Sequence, residues 1–280
     1  MHSLGNDFVI FDTIRQNAIV SPTLIRHIAD RHCGIGCDQV LLVGPPFYSH
    51  LDFHYRIFNA NGKEVTQCGN GARCFGRYVF EQGLTNKKLL KIGTLSGKMK
   101  INLHDLSAIS VEIGVPQFAP AMIPLNSKKV TSISKNGRYK IHWQGNERVV
   151  HILSLGNPHC VMFVSSLQNV PVTEVGQALQ RHPAFPEGVN VSFVQLLARN
   201  HIQCRVFERD VGETQACGSA ACAAVAAGIL QGELSREVQV SMPGGNLTVS
   251  WPMGKSILLS GPTKMVFQGT FCSKRPELLR

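Results

Sequence analysis

Two cysteines, Cys68 and Cys217, each followed by glycine and then by a stretch of helical character, are the residues best placed to do chemistry in this chain. A thiol at the start of a helix faces unpaired backbone N–H groups and the positive end of the helix dipole, which favour its thiolate. The same N–H groups form an anion site. If Gly69-Asn70 and Gly218-Ser219 both direct donors at one carboxylate, they also stabilise the charge that builds on it as an adjacent α-proton leaves. A thiolate then removes that proton from one face, and a thiol delivers another from the opposite face. A thiol pKa of roughly 8.5, modestly lowered, suits both steps. The chemistry expected is inversion at an α-carbon by two side-chain bases, with no cofactor and no metal.

The two cysteines occupy matching places in an internal repeat. Setting Arg56-Ile57-Phe58-Asn59 on Arg205-Val206-Phe207-Glu208, an offset of 149, brings Glu64 onto Glu213, Cys68 onto Cys217, Gly69 onto Gly218 and Ala72 onto Ala221. Upstream, at an offset of 151, Gly5-Asn6 falls on Gly156-Asn157 and Gln39 on Asn190. The polar landmarks are Asn6, Gln39, Asn59 and Cys68 in one half and Asn157, Asn190, Glu208 and Cys217 in the other. Duplication can simply build a symmetric scaffold. Here, however, the matched residues are amides, a carboxylate and thiols beside turn signals, where binding groups concentrate.

The elements that must position these residues read as follows. Arg56 to Asn59 and Cys204 to Phe207 are strand-like, and each leads through a polar turn into Cys-Gly and a helix. The second helix, Gly218 to Gln231, is apolar on every side and must be buried all round. The first, Gly69 to Gln82, is apolar at Ala72, Phe75, Tyr78 and Val79, with a polar stripe at Arg73, Arg77 and Glu81. Further strand-like segments are Gln39 to Val43, Lys98 to Leu103, Ile109 to Ile113, Tyr139 to His142, Val238 to Met242 and Leu247 to Trp251. The fold class expected is α+β: two similar lobes, each a curved, mostly antiparallel sheet or barrel around a central helix, with the active site in the cleft between them. The expected bounds are 1–115 for the first lobe, with 263–280 packing back on it, and 116–262 for the second; Pro116, Pro120 and Pro124 mark the linker.

Several function classes are disfavoured. Nine cysteines without a secretory signal at the N-terminus do not suggest a disulfide framework. Cys33 and Cys37 are spaced C-x3-C and Cys68 and Cys74 C-x5-C, and Cys-x-x-Cys pairs are absent, so a zinc site is not supported. Most of these thiols should be small core residues. The net charge of +10 is scattered, without a recognition motif, so no nucleic-acid partner is expected. The run Ala220 to Leu230 is too short to span a membrane, which needs about 20 residues. A cytoplasmic, soluble protein is expected. Gly254-Lys255-Ser256 lacks the upstream glycine of a phosphate loop, since Val249 stands there, and the Gly-x-Gly pieces at 34–36 and 69–71 are isolated.

With these residues in place, the chain closely resembles the diaminopimelate epimerase family. The matching stretches are Gly5-Asn6-Asp7-Phe8, Gly34 to Gln39, Phe58 to Gly62, Cys68 to Cys74, Gly156 to Cys160, Asn190-Val191, Glu208-Arg209 and Cys217-Gly218-Ser219. The resemblance implies interconversion of LL- and meso-diaminopimelate, for lysine and peptidoglycan synthesis, by a cytoplasmic homodimer. By the same analogy Cys68 and Cys217 are base and acid, and Gly69, Asn70, Gly218 and Ser219 hold the reacting carboxylate. Asn6, Gln39, Asn59, Asn157, Asn190 and Arg209 contact the substrate, Arg209 suiting a distal carboxylate. Glu208 can pair with a substrate ammonium, and His159 tunes protonation near a cysteine. The bland alternatives are that His159 orders its own turn, Glu208 serves an ion pair, and the amides satisfy loop backbone. Three features depart from the family pattern: Met1 nearly abuts the first motif, and Asp210 and Ala220 stand where glycine is commoner.

The nearest rival is another two-cysteine racemase of proline-racemase type, although Arg209 and the amides favour a substrate polar at both ends. A related isomerase using a carboxylate would leave two matched thiols idle. A thiol-redox or zinc protein is the alternative of a different class.

Overall fold

The computed structural model describes residues 1–16, 20–66 and 68–272. The chain divides into two units, Met1–Glu112 with the segment beginning at Ser260, and Ile113–Leu259.

The first unit opens with β1 (His2–Ser3), which turns through Leu4 and Gly5, both at positive φ, and pairs antiparallel with β2 (Asn6–Asp12). Helix α1 (Pro22–Ala29) starts where proline fits at its first turn and the Ser21 hydroxyl accepts the Leu24 N–H. It returns the chain so that β3 (Gln39–Gly44) lies parallel to β2, with Phe8 opposite Gln39. Next, β4 (Phe53–Asn59) pairs antiparallel with β3, setting Gln39 opposite Asn59, and β5 (Glu64–Val65) folds back on β4. Helix α2 (Gly69–Glu81) follows, then β6 (Leu89–Thr94) parallel to β4, and β7 (Gly97–Asn102) and β8 (Ile109–Gly114) in antiparallel succession.

In the second unit β9 (Val130–Ser134), β10 (Arg138–Trp143) and β11 (Asn146–Ser154) form an antiparallel meander. The proline-spaced segment belongs here: Pro120–Met122 is a single 3₁₀ turn, and Gln117 bridges to Ser154. The first unit's plan then recurs as β12 (Pro158–Phe163), α3 (Val172–Gln180), β13 (Asn190–Ala198), β14 (His201–Glu208) and β15 (Gly212–Thr214). It ends with α4 (Gly218–Leu230), β16 (Glu237–Met242), β17 (Gly245–Ser250) and β18 (Ile257–Gly261).

The repeat extends to strand register. His159 opposes Asn190 in the parallel pair β12–β13, as Phe8 opposes Gln39, and Phe207 opposes Glu213 as Phe58 opposes Glu64. The two parallel returns, β4–β6 and β14–β16, also recur, and Gly97 and Gly245 open the matching hairpin strands at positive φ. One ion pair is duplicated. Arg56 grips Glu64 with two contacts of 2.8 Å, and Arg205 grips Glu213 at 2.7 and 3.1 Å. The internal duplication expected from the sequence is therefore present in the backbone.

Each unit is organised around its second helix. On α2, Ala72, Cys74, Phe75 and Val79 are inaccessible to solvent, and Phe75 meets Phe53 and Tyr55 edge-on. Gly76 allows Ile101 to approach within 2.7 Å of where a Cβ would stand. On α4, everything from Ala220 to Ala227 is buried, and the small side chains admit strands on every side. Each large apolar side chain buried in this way contributes roughly 1.5–3 kcal/mol.

One expectation is corrected here. Arg73 does not join Arg77 and Glu81 on a solvent-facing stripe. It is fully buried, whereas Arg77 and Glu81 remain outside as an ion pair of 2.7 Å. All nine cysteines are free thiols; Cys37, Cys74, Cys160, Cys204, Cys217 and Cys222 are buried, Cys68 is half-buried, and Cys33 and Cys272 are exposed. Among the described residues, no helix is long and apolar enough to cross a membrane.

Candidate active site

Cys68 is the N-cap residue of α2, held extended by φ −146° and ψ 119°. Its Sγ accepts the Gly71 N–H at 3.4 Å and lies 3.8 Å from Asn6 Oδ1, at the start of β2. The Asn6 amide is pinned from its other end, because its Nδ2 donates to Asp38 at 3.0 Å. Its Oδ1 also takes Asn70 Nδ2 at 3.3 Å. Asn70 Oδ1 in turn accepts Arg73 Nη2 at 2.7 Å, and the same nitrogen donates to Ser3 Oγ at 2.7 Å. Arg31 forks onto Asp7 with two contacts of 2.9 Å and reaches Asp38 at 2.9 Å. Burial opposes ionisation of Asp7, yet Arg31 and the Asp38 N–H hold its carboxyl below the usual carboxylate range. Gln39 Nε2 donates to Asn59 Oδ1 at 2.8 Å across β3–β4. The first unit thus gathers Asn6, Asn70 and Cys68 at the N-terminus of α2, where Gly69 is the first helical residue, and pairs Gln39 with Asn59.

Cys217 is likewise the N-cap residue of α4, with φ −125° and ψ 113°, although its side chain accepts no capping N–H. Its Sγ lies 3.5 Å from the hydroxyl of Ser219, and Gly218 is the first helical residue. Burial pushes this thiol well above its ordinary value, and the neighbouring Glu208 carboxylate raises it further. This corrects the expectation of lowered thiol pKa values for Cys217, because desolvation and an adjacent negative charge outweigh the helix terminus. Glu208, the last residue of β14, accepts the Thr214 hydroxyl at 2.6 Å, while its backbone carbonyl takes Gln180 Nε2 at 3.0 Å.

His159 is buried on β12, with Nε2 3.0 Å from Asn157 Oδ1. Burial, with the positive charge of Arg209, lowers it to about 3, so the ring is neutral near pH 7. Asn190 uses both ends of its amide on backbone: Nδ2 donates to the Pro158 carbonyl at 3.1 Å and Oδ1 accepts the Arg209 N–H at 3.0 Å. The Arg209 guanidinium donates to the Glu187 carbonyl at 3.0 Å and stands 4.0 Å from the Asp210 carboxylate. Asp210 adopts φ 64°, a left-handed conformation that favours glycine.

Sequence reading missed Arg73, Ser3, Asp38 and Thr214. A signal for Arg73 existed, because Asn70 and Arg73 are three apart and share one face of a helix. Among the described residues, no group of three or more His, Cys, Asp or Glu side chains is arranged to hold a metal ion.

The chain is a duplicated sheet-and-helix unit with a cysteine at the N-cap position of each central helix. Three solved structures share its fold. A hydroxyproline epimerase from Agrobacterium vitis is 14% identical at a TM-score of 0.63, covering 93% of this chain and 87% of that one. A probable proline racemase from Agrobacterium radiobacter K84 is 16% identical at 0.65, covering 99% and 93%. A phenazine biosynthesis protein of the PhzF family from Bacillus anthracis is 18% identical at 0.63, covering 94% and 92%. At these identities the likeness concerns the fold. The sequence itself is more specific: residues 1–119 and 151–266 match the profile of diaminopimelate epimerase, and the chain belongs to that family of isomerases.

Proposed function

We propose that the protein epimerises LL-2,6-diaminopimelate to the meso form, with Cys68 and Cys217 serving opposite faces of the α-carbon. The observation that carries this reading is the pair of cysteines at the N-cap positions of equivalent helices in the two repeats. Each helix terminus supplies the first N–H groups, at Gly69 and Asn70 or at Gly218 and Ser219, to a carboxylate whose charge grows as the α-proton leaves. Cys217 holds its proton in the resting protein and is suited to deliver it to the α-carbon, and Glu208 is placed to pair with a substrate ammonium. His159, neutral and bonded to Asn157, is a polar group whose charge does not change near pH 7.

The family membership and the chemistry of the polar residues support a substrate with amino-acid groups at both ends. Arg209 is free to exchange its single carbonyl contact for a two-point grip on a distal carboxylate. Asn6, Gln39, Asn59, Asn157 and Asn190 are proposed to line the remaining polar contacts. The reaction so written uses neither pyridoxal phosphate nor metal. Assembly as a homodimer in a cytoplasm, in service of lysine and peptidoglycan precursors, belongs to the same proposal.

The test is a substrate panel in heavy water, with LL-diaminopimelate, L-proline and trans-4-hydroxy-L-proline given separately to the reduced protein. Inverted, deuterated product from diaminopimelate alone is expected. Turnover of either proline in preference to diaminopimelate would overturn the substrate assignment while leaving the two-thiol chemistry in place.

A further inference from the structure

A cation lies buried one helical turn into α2, where α4 has a thiol. Arg73 has no solvent-accessible surface, and burying a guanidinium is costly unless its N–H groups are bonded. Its Nη2 meets two oxygens, Ser3 Oγ and Asn70 Oδ1, both at 2.7 Å. The Ser3 proton is committed to the Pro262 carbonyl at 2.8 Å, so a lone pair faces Arg73. Asn70 is the partner with a choice, because the oxygen and nitrogen of an amide are alike in size and opposite in polarity. With its oxygen on Arg73, its N–H groups face the other way, and one reaches Asn6 Oδ1 at 3.3 Å. Asn6 is oriented in turn by Asp38 at 3.0 Å. Opposite charges at the two ends of this string, Arg73 and Asp38, therefore fix both amides.

The duplication supplies an internal control. At the offset of 149, Asn70 falls on Ser219 and Arg73 on Cys222. A hydroxyl rotates to donate or accept as its partner requires and needs no orienting charge. Where the residue at the helix N-terminus is an amide, a cation lies beneath it; where it is a hydroxyl, a small neutral side chain does.

We propose that Arg73 is a positioning residue that locks Asn70 with its oxygen inward and its N–H groups toward Asn6, so that the N-terminus of α2 presents donors alone to a bound carboxylate. This rests on the reading above that a carboxylate binds at this terminus, but not on which amino acid carries it. Without Arg73 the amide is free to turn and set its oxygen against the anion.

The experiment compares alkylation of Cys68 by iodoacetate and iodoacetamide. In both cases the thiolate displaces iodide and an S–C bond forms, and only the first reagent carries a carboxylate. Mass spectrometry of peptides gives the rate ratio at Cys68, with exposed Cys33 as the reference in the same molecule. Removing a charge-assisted bond predicts that Arg73→Met lowers the carboxylate preference about fivefold or more, and that Arg73→Lys keeps it within about twofold. In an Asn70→Ser background, Arg73→Met should change the ratio by less than about twofold, since a hydroxyl needs no orientation. Equal losses in both backgrounds, or no loss in Arg73→Met, overturn the proposal. If Arg73→Met does not fold, Asn70→Ser with Arg73→Cys, the pair found in the second helix, decides. A folded protein that keeps the preference supports the proposal; an unfolded one, or one without the preference, overturns it. A wild type that favours iodoacetate at Cys68 yet inverts no amino acid would sink the proposed reaction and leave the role of Arg73 standing.

Discussion

The two helix N-termini share a backbone and differ in what surrounds the thiol. At the first, Cys68 is half-buried among amides whose directions are set by Arg73 and Asp38. At the second, Cys217 is buried, bonded to a serine hydroxyl and pressed by the Glu208 carboxylate. The same exchange runs through the packing beneath. A Cβ at Gly71 would lie 2.8 Å from Tyr55 Oη and 3.3 Å from Ile57, whereas the second unit has Ala220 there, with the smaller Cys204 and Val206 at the matching strand positions. The two duplicated helix termini thus keep one backbone and differ in the charge beside them. Burial and the Glu208 carboxylate both favour the protonated form of Cys217.

The largest effects should come from the thiols. Cys68→Ala and Cys217→Ala are each expected to lower inversion by about 10²–10⁴-fold, the span of positioned proton transfer, measured as initial rates of product formation. Retention of normal turnover by either variant would end the pairing. Glu208→Gln should come next, with a loss of roughly 10–100-fold. Removing the carboxylate leaves burial as the dominant cause of the raised Cys217 pKa, so its alkylation should set in at lower pH than in the wild type. An unchanged profile would show that the carboxylate does not act on this thiol.

A steric pair sharpens the comparison. Gly71→Ala should destabilise the protein by about 1–3 kcal/mol through overpacking against Tyr55. Ala220→Gly should cost only about 1 kcal/mol, the helix-propensity difference, and equal costs in denaturant unfolding would contradict the exchange.

The smallest effect is on stability in mild acid. Burial depresses His159 to about 3 and His151 to about 4, both below the ordinary 6.5. The unfolded chain takes up protons first, so the stability they contribute is present above pH 6.5 and is lost as pH falls toward 4 and 3. The slope is roughly 1.4 kcal/mol per pH unit for each ring, and His159→Asn should remove one ring's share from the acid limb of the unfolding curve.

How much of this was legible in the sequence depends on whether chemistry or packing was doing the specifying. The duplication could be read because Arg56, Glu64, Cys68 and their partners recur at fixed offsets, and the structure gives those residues matching register and matching ion pairs. The helix caps could be read because Cys-Gly follows a polar turn in both halves. The burial of Arg73 could not, because charge alone marks a residue as surface and only the packed position of Ser3 and Asn70 gives the guanidinium its partners. The raised pKa of Cys217 escaped for a related reason. A helix terminus is visible in a sequence, whereas the desolvation that overrides it depends on how completely the strands close around α4.

The central claim is that one thiol takes the α-proton and a different one returns it. Early time points of LL-diaminopimelate turnover in heavy water test this most directly. The account predicts that the first meso product carries deuterium at the inverted centre while the recovered LL-substrate remains unlabelled. Deuterium entering the recovered substrate as fast as the product would mean that a single group serves both faces, and would contradict it.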